Sequence, residues 1–282
     1  AEDGIRDPLW SRGLGDVYKR QDNPVADIFL SADIARLIDI AEAGANVAIP
    51  IQDKVPANMQ TQDWTSLTMR TRVIYAHNKL NLNEISYEDL ILPEYKGKVC
   101  TRSGFHPYNV SLFSGLIAHH GEEWFEDYIV KLKANLARKP QGNDRDQIKA
   151  IYAGVCDMSI GNHYYYFKMM DDPNQKVWLD KVSPIFPNQD SYGSHVNISG
   201  IAIINDKNYE ASLDFLEFLL SDEAQEIYAN DNNEFPVNPN VSASERVQAL
   251  ANNAKFDPID LQEIASNRKA VLDILQKINY DG

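Results

Sequence analysis

The chain has 282 residues, a formal net charge of -14 and 44% hydrophobic residues. That length supplies one large domain or two medium ones, and no apolar run approaches the roughly 20 residues that span a bilayer. The acidic balance argues against a nucleic-acid binder and favours a cation over a polyanion as ligand, while two cysteines without a CxxC pair exclude a zinc ribbon.

The opening, AEDGIRDPLWSRGLGDVYKRQ, has no apolar h-region and no helical or strand period that runs on into residues 22–30. It reads like a translated sequencing-adapter tail, so residues 1–21 are set aside as non-native, and the native start with any export signal is expected upstream. VADIFL then predicts a buried strand. SADIARLIDIAEAG predicts a helix with Ile34, Leu37, Ile38 and Ala41 on its apolar face, Ser31 as N-cap and Gly44 as stop. SLTMRTRVIYAHN reads as a strand, and SYEDLILPEYKGK as a short helix, a proline break and a turn. KVCTRS is a strand whose end opens into GFHPYNVSLFSGLIAHHG, a loop and a helix. EEWFEDYIVKLKANL and NDRDQIKAIYAG are helices, the second ended by Gly154. VCDMSI is a strand from which GNHYYYFKMM turns into a helix. KVWLDKVSPIF and HVNISGIAII are strand-like, and NYEASLDFLEFLL and SDEAQEIYAN are helical. One long amphipathic helix from about Asp260 to Tyr280 closes the chain, with Leu261, Ile264, Val271, Ile274, Leu275 and Ile278 as its stripe.

This alternation predicts an α/β protein with parallel sheets. Residues 98–199 make their own βα series, so residues 22–97 and 200–282 are expected to pair as a discontinuous first lobe. A cleft between the two lobes would gather ligands where strands end and helices begin.

TRSGFHPYN and GNHYYYF share one design, a tyrosine just past a strand end at the start of a helix. Unpaired N–H groups and the helix dipole favour an anion there. A free phenol ionises near pH 10, so it needs help to lose its proton, and a trivalent cation gives that help. Phenolate is a hard oxygen donor and ferric iron a hard acid, whereas calcium or magnesium would call for clustered carboxylates and carbonyls. Packing, or a surface on which sugars stack, is the competing reading of three successive tyrosines. His106 and His163 flank the tyrosines as ligands, gates or solvated groups. Of Arg70 and Arg72 one is expected to face the cleft and clamp an anion such as carbonate, with Arg102 and Ser103 holding it from the opposite lobe. His119 and His120 suit a helix C-terminus better than a metal. Asp144, Asp146 and Asp190 are carboxylates that nothing pairs as acid and base, and GxSxG, HExxH, GxxxxGK[ST] and GxGxxG are all missing. That argues against an enzyme.

From Asp22 onward the chain resembles the periplasmic ferric-ion-binding proteins of bacterial ABC importers, a branch of the type II periplasmic binding proteins. The segments that carry the resemblance include PVADIFLSADIARL, SYEDLILPEYKGKV, TRSGFHPYNVSL, GNHYYYF, FPNQDSYGSHVNISG and NNEFPV. It implies a two-lobed fold with a ligand cleft, export to the periplasm, a membrane permease as partner, a monomer, and Fe(III) held by Tyr108, Tyr164 and Tyr165. Tyr166 falls outside the motif, as packing or as a group behind the ligands. The family also takes a ligand or two from the first strand–helix junction of its first lobe, a segment expected to precede Asp22, so an incomplete site and a weaker first lobe are expected. The resemblance places Cys100 and Cys156 on neighbouring strands of one lobe. A disulfide and two buried thiols both remain open. The rival functions are a same-fold receptor for an organic anion, a polyamine or a sugar, and an α/β hydrolase or transferase.

Overall fold

One strand organises the molecule. In the computed structural model, which describes residues 26–282, β1 (Ile28–Ser31) and α1 (Ile34–Glu42) lead to β2 (Thr65–His77). The expected tail at residues 1–21, and residues 22–25, lie outside the described residues. After β2 come β3 (Val99–Cys100), α2 (Pro107–His120), α3 (Glu122–Asn135), α4 (Asp144–Tyr152), β4 (Met158–Asn162), α5 (Tyr164–Met170) and β5 (Val182–Ile185). The rest is β6 (Val196–Ile203), α6 (Tyr209–Leu219), α7 (Asp222–Ile227), β7 (Phe235–Pro236), α8 (Glu245–Ala251), α9 (Leu261–Ser266) and α10 (Arg268–Lys277).

The strand order is β1-β6-β2-β4-β3, with β5 and β7 also on β2. Residues 65–71 of β2 pair with β6, and residues 72–77 pair with β4 and β5. Its β-branched and apolar side chains are buried on both faces almost throughout. One strand therefore serves two sheets, and the passage between them falls at Thr71 and Arg72. This corrects the expectation of parallel sheets. Of the described strand pairs only β3–β4 is parallel, because β2 runs against every neighbour it has.

Two cores result. α1 packs Ile34, Leu37 and Ile40 against Trp64 and Ile198. On the other side Phe113, Phe125, Tyr128 and Ile160 form a larger core that α10 enters with Val271, Ile274 and Leu275. Three local expectations change. The N-cap of α1 is Asp33, whose carboxylate accepts from Ala35 N at 3.1 Å; Ser31 instead bonds the Asp33 backbone. KVWLDK forms a 3₁₀ turn, and the strand is confined to β5. The closing helix is broken at Asn267, where Ser266 and Asn267 side chains both take the Glu263 carbonyl, at 2.8 and 3.1 Å.

Beyond α10 the chain end returns to the loop before α2. Tyr280 lies so close to Gly104 that a Cβ there would meet its ring at 2.5 Å. The Asp281 carboxylate accepts from Ser103 Oγ at 2.5 Å and Gly104 N at 2.9 Å.

Cys100 and Cys156 are joined as a disulfide with Cα atoms 5.9 Å apart, tying β3 to the entry of β4. It closes a loop over a sequence separation of 56, a length for which lost chain entropy stabilises the fold by about 2–4 kcal/mol. Reduction with dithiothreitol is expected to lower the urea midpoint by that amount divided by the m-value.

Candidate metal centre

α2 and α5 both begin where a strand of the second sheet ends. His106 caps α2, its Nδ1 accepting from Tyr108 N at 3.2 Å, and Pro107 presets the first turn. Tyr108 therefore sits in the first turn of a fourteen-residue helix, at its positive end. On the other element, Tyr164 and Tyr165 open α5 directly after β4.

The hydroxyls of these residues come together. Tyr164 donates to Tyr108 across 3.4 Å, and the ring of Tyr165 lies 4.4 Å from that of Tyr164. Tyr166 points elsewhere. It packs on Phe167 and into the core around the disulfide. Three tyrosines in succession thus face two directions.

Positive charge surrounds the phenols. The guanidiniums of Arg70, Arg72 and Arg102 lie 5.4, 5.9 and 5.4 Å from the Tyr108 ring centre. Lys168 approaches Tyr164 at 5.4 Å and Arg145 approaches Tyr165 at 6.0 Å. A chain of charge -14 has built a locally basic site.

The arginines are not equivalent. Arg72 and Arg102 share Asp144, at 2.7 and 2.8 Å, and Arg72 also bonds Asn162 and Asn109. Burial would raise the Asp144 carboxyl, but the two guanidiniums and the Asn162 N–H hold it below the usual range. Arg70 donates to Ser199 Oγ, Ala32 O and Ile198 O, all neutral. Both Arg70 and Arg72 are buried, so neither is a surface charge. Nε of all three finds no hydrogen-bond partner among the described residues.

Ser103 is occupied by Asp281. His163 accepts from Thr71 N at 3.3 Å and donates from Nε2 to Asn233 O at 2.8 Å, a brace between β2 and the loop before β7. Burial lowers its pKa to about 4, and burial with the Arg102 and Arg72 charges lowers that of His106 to about 4. Both are neutral imidazoles at pH 7. His119 and His120 each meet a carboxylate, Asp257 and Glu88, at 2.7 Å.

Sequence reasoning missed Asn162. Its Nδ2 donates to the Tyr164 hydroxyl at 3.2 Å, its Oδ1 accepts from Arg72 at 3.0 Å, and its N–H reaches Asp144 at 2.8 Å. The available signal was its place at the end of β4, two residues before the first tyrosine.

Burial, then repulsion from Tyr108 and Tyr165, pushes the Tyr164 phenol well above its ordinary range. Burial raises the Tyr165 phenol as well. A weakly polarising cation cannot drive such protons off, whereas a small trivalent ion can. Among the described residues no cluster of three or more His, Cys, Asp or Glu competes as a metal site.

Behind the site, His195 is fully buried with Nε2 3.0 Å from Ser111 Oγ, and burial and the Arg72 charge lower its pKa to about 3. A histidine depressed in the fold stabilises it above pH 6.5, and that stability is lost as pH falls toward 3. This group alone is expected to remove about 1.4 kcal/mol per pH unit below 6.5. Urea midpoints at pH 7 and pH 5, compared with those of His195→Gln, measure it.

Residues 23–267 match the family model of the bacterial extracellular solute-binding proteins. The chain belongs to that family. This solute-binding protein is 37% identical over 270 residues to iron uptake protein A2 of Synechocystis, a match covering 92% of this chain and 78% of that protein. Its structure superposes with a TM-score of 0.92 on the apo ferric ion-binding protein A of Pasteurella haemolytica, at 40% identity over 96% of this chain and 88% of the other. A Trichodesmium protein solved in complex with iron and citrate superposes at 0.90 with 32% identity, over 96% and 88% of the two chains. The fold of this solute-binding protein is accordingly the two-lobed type II arrangement that its sequence resembles. No helix among its described residues is long and apolar enough to cross a membrane.

Proposed function

We propose that the protein captures Fe(III) outside the cytoplasm, in the periplasm, through the phenolates of Tyr108, Tyr164 and Tyr165, and delivers it to an ABC permease without turnover. The observation that carries this is the convergence of hydroxyls from two helix starts, 3.4 Å apart between Tyr108 and Tyr164, inside a ring of cations. The relatives named for iron uptake and ferric-ion binding support the choice of metal.

Three phenolates neutralise a ferric ion, which leaves the surrounding guanidiniums in excess. Arg70, whose acceptors are all neutral, and Arg102 at the rim then favour a further small anion on the iron, carbonate or a carboxylate. The lobes divide where β2 passes between its two sheets, at Thr71 and Arg72, and residues 72–97 then go with residues 98–199. The packing of α10 on α2 carries the chain's end across that division. Closure about this line brings the anion and the metal under cover.

Titrating metal-free protein with ferric citrate in bicarbonate buffer tests the reading. A purple-red phenolate-to-iron band is expected to grow to equimolar iron and to fade as pH drops, because protons compete for the phenolates. A colourless protein would count against it.

A further inference from the structure

We propose that Arg246 is a positioning residue for the metal centre: through Asp171 and Asn233 it fixes both ends of α5 and so sets the angle at which Tyr164 and Tyr165 face the ion. This role deepens the proposed function and rests on its ligand set.

α5 needs support from outside itself. It has seven residues, and isolated helices shorter than about 12–15 residues are marginal in water. Packing supplies part of that support, since Phe167 and Met169 are buried. Apolar burial is non-directional, so it chooses the inward face and leaves the tilt of the helix to bonds at its ends.

The C-terminal end of α5 carries Asp171 as its cap. A carboxylate there meets the negative end of the helix dipole, which is the unfavourable sign. Arg246, in the first turn of α8, compensates it. Nη1 and Nη2 donate to the two Asp171 oxygens at 2.7 and 2.8 Å, a bidentate pair. The same guanidinium lies 5.4 Å from the Phe167 ring centre. Its Nε donates to Asn233 Oδ1 at 2.6 Å.

Asn233 is fully buried and holds a left-handed φ of 59°, a conformation that asparagine adopts more readily than most residues. While its side chain takes Arg246, its carbonyl accepts from His163 Nε2 at 2.8 Å. His163 is the N-cap of α5. Its backbone N–H donates to Thr71 O at 3.1 Å, and its Nδ1 accepts from Thr71 N at 3.3 Å. One guanidinium therefore ties the end of α5 to the residue that holds its start, and both to the point where β2 passes between sheets. Tyr164 and Tyr165 follow His163 directly, so a tilt of α5 about that point displaces their hydroxyls.

Arg246→Gln in the full chain tests this with two independent readouts. The Arg246 and Asp171 side chains are 34% and 56% exposed, so the urea midpoint is expected to move little. In metal-free protein, hydrogen exchange is expected to quicken about tenfold at residues 164–171 and to stay unchanged in α2. Ferric-ion affinity, measured by chelator competition, is expected to fall about tenfold, with the phenolate-to-iron band displaced in wavelength. Asn233→Gly keeps the backbone turn and the carbonyl but removes Oδ1. It is expected to weaken iron binding too, and the double variant to lose less than the product of the two single losses. Unchanged exchange in α5, a band and affinity equal to the parent's, or independent losses in the double variant would overturn the proposal. A parent without the band would overturn the ferric reading alone, and the exchange of α5 would then decide the role of Arg246.

Discussion

Replacing Tyr164 by phenylalanine is expected to lower ferric-ion affinity by more than the ten- to hundredfold that losing an outer partner of a metal ligand costs, and to bleach the visible band. The Tyr164 hydroxyl is bonded to Tyr108 and to Asn162, and its ring lies against that of Tyr165. The ring itself stays, so packing around α5 is kept and the change falls on the oxygen donor. Tyr108→Phe and Tyr165→Phe are expected to act in the same direction. Tyr166→Phe is the control, because its ring is packed into the core around the disulfide. Competition for iron against a chelator of known affinity, with the band followed in parallel, separates these outcomes. A Tyr166→Phe protein that loses the band while Tyr164→Phe retains it would contradict the assignment.

The largest stability effect is expected at Asp144. Its carboxylate is fully buried between Arg72 and Arg102. Asp144→Asn keeps the shape and removes the charge, which leaves two guanidiniums confined without a counter-ion. Breaking a buried pair in this way costs about 3–5 kcal/mol. The pH dependence identifies the cause. A carboxyl held below its unfolded value stabilises the fold above that value, near pH 4, and the contribution disappears as pH falls through the lower folded value. The gap between parent and variant in urea midpoints should therefore be full at pH 7 and narrow only below pH 4. A gap that closes between pH 7 and pH 5 would point to a histidine instead.

The tyrosine pattern was legible because it is local. A strand end, a turn and a helix start lie within ten residues of sequence in both TRSGFHPYN and GNHYYYF, and the physics that favours an anion there is the physics of helix termini. The partners of the arginines were not legible. Arg72 meets Asp144 across 72 positions and Arg70 meets Ser199 across 129, and no spacing rule reaches that far. Asp281 is a similar case, since only the return of the chain end shows that it takes Ser103. Strand direction failed for another reason. Alternating strands and helices suggested parallel neighbours, but β2 crosses between sheets and pairs antiparallel in both. The break at Asn267 was hidden by an apolar stripe that continues through it, because α9 and α10 bury successive parts of that stripe in different cores.

The most direct test of the account is anomalous diffraction at the iron edge from crystals of the ferric-loaded protein. A single strong peak is expected about 2 Å from the hydroxyl oxygens of Tyr108, Tyr164 and Tyr165, with a small anion between it and Arg70 or Arg102. A peak bound by carboxylates or histidines away from these three oxygens would contradict the account.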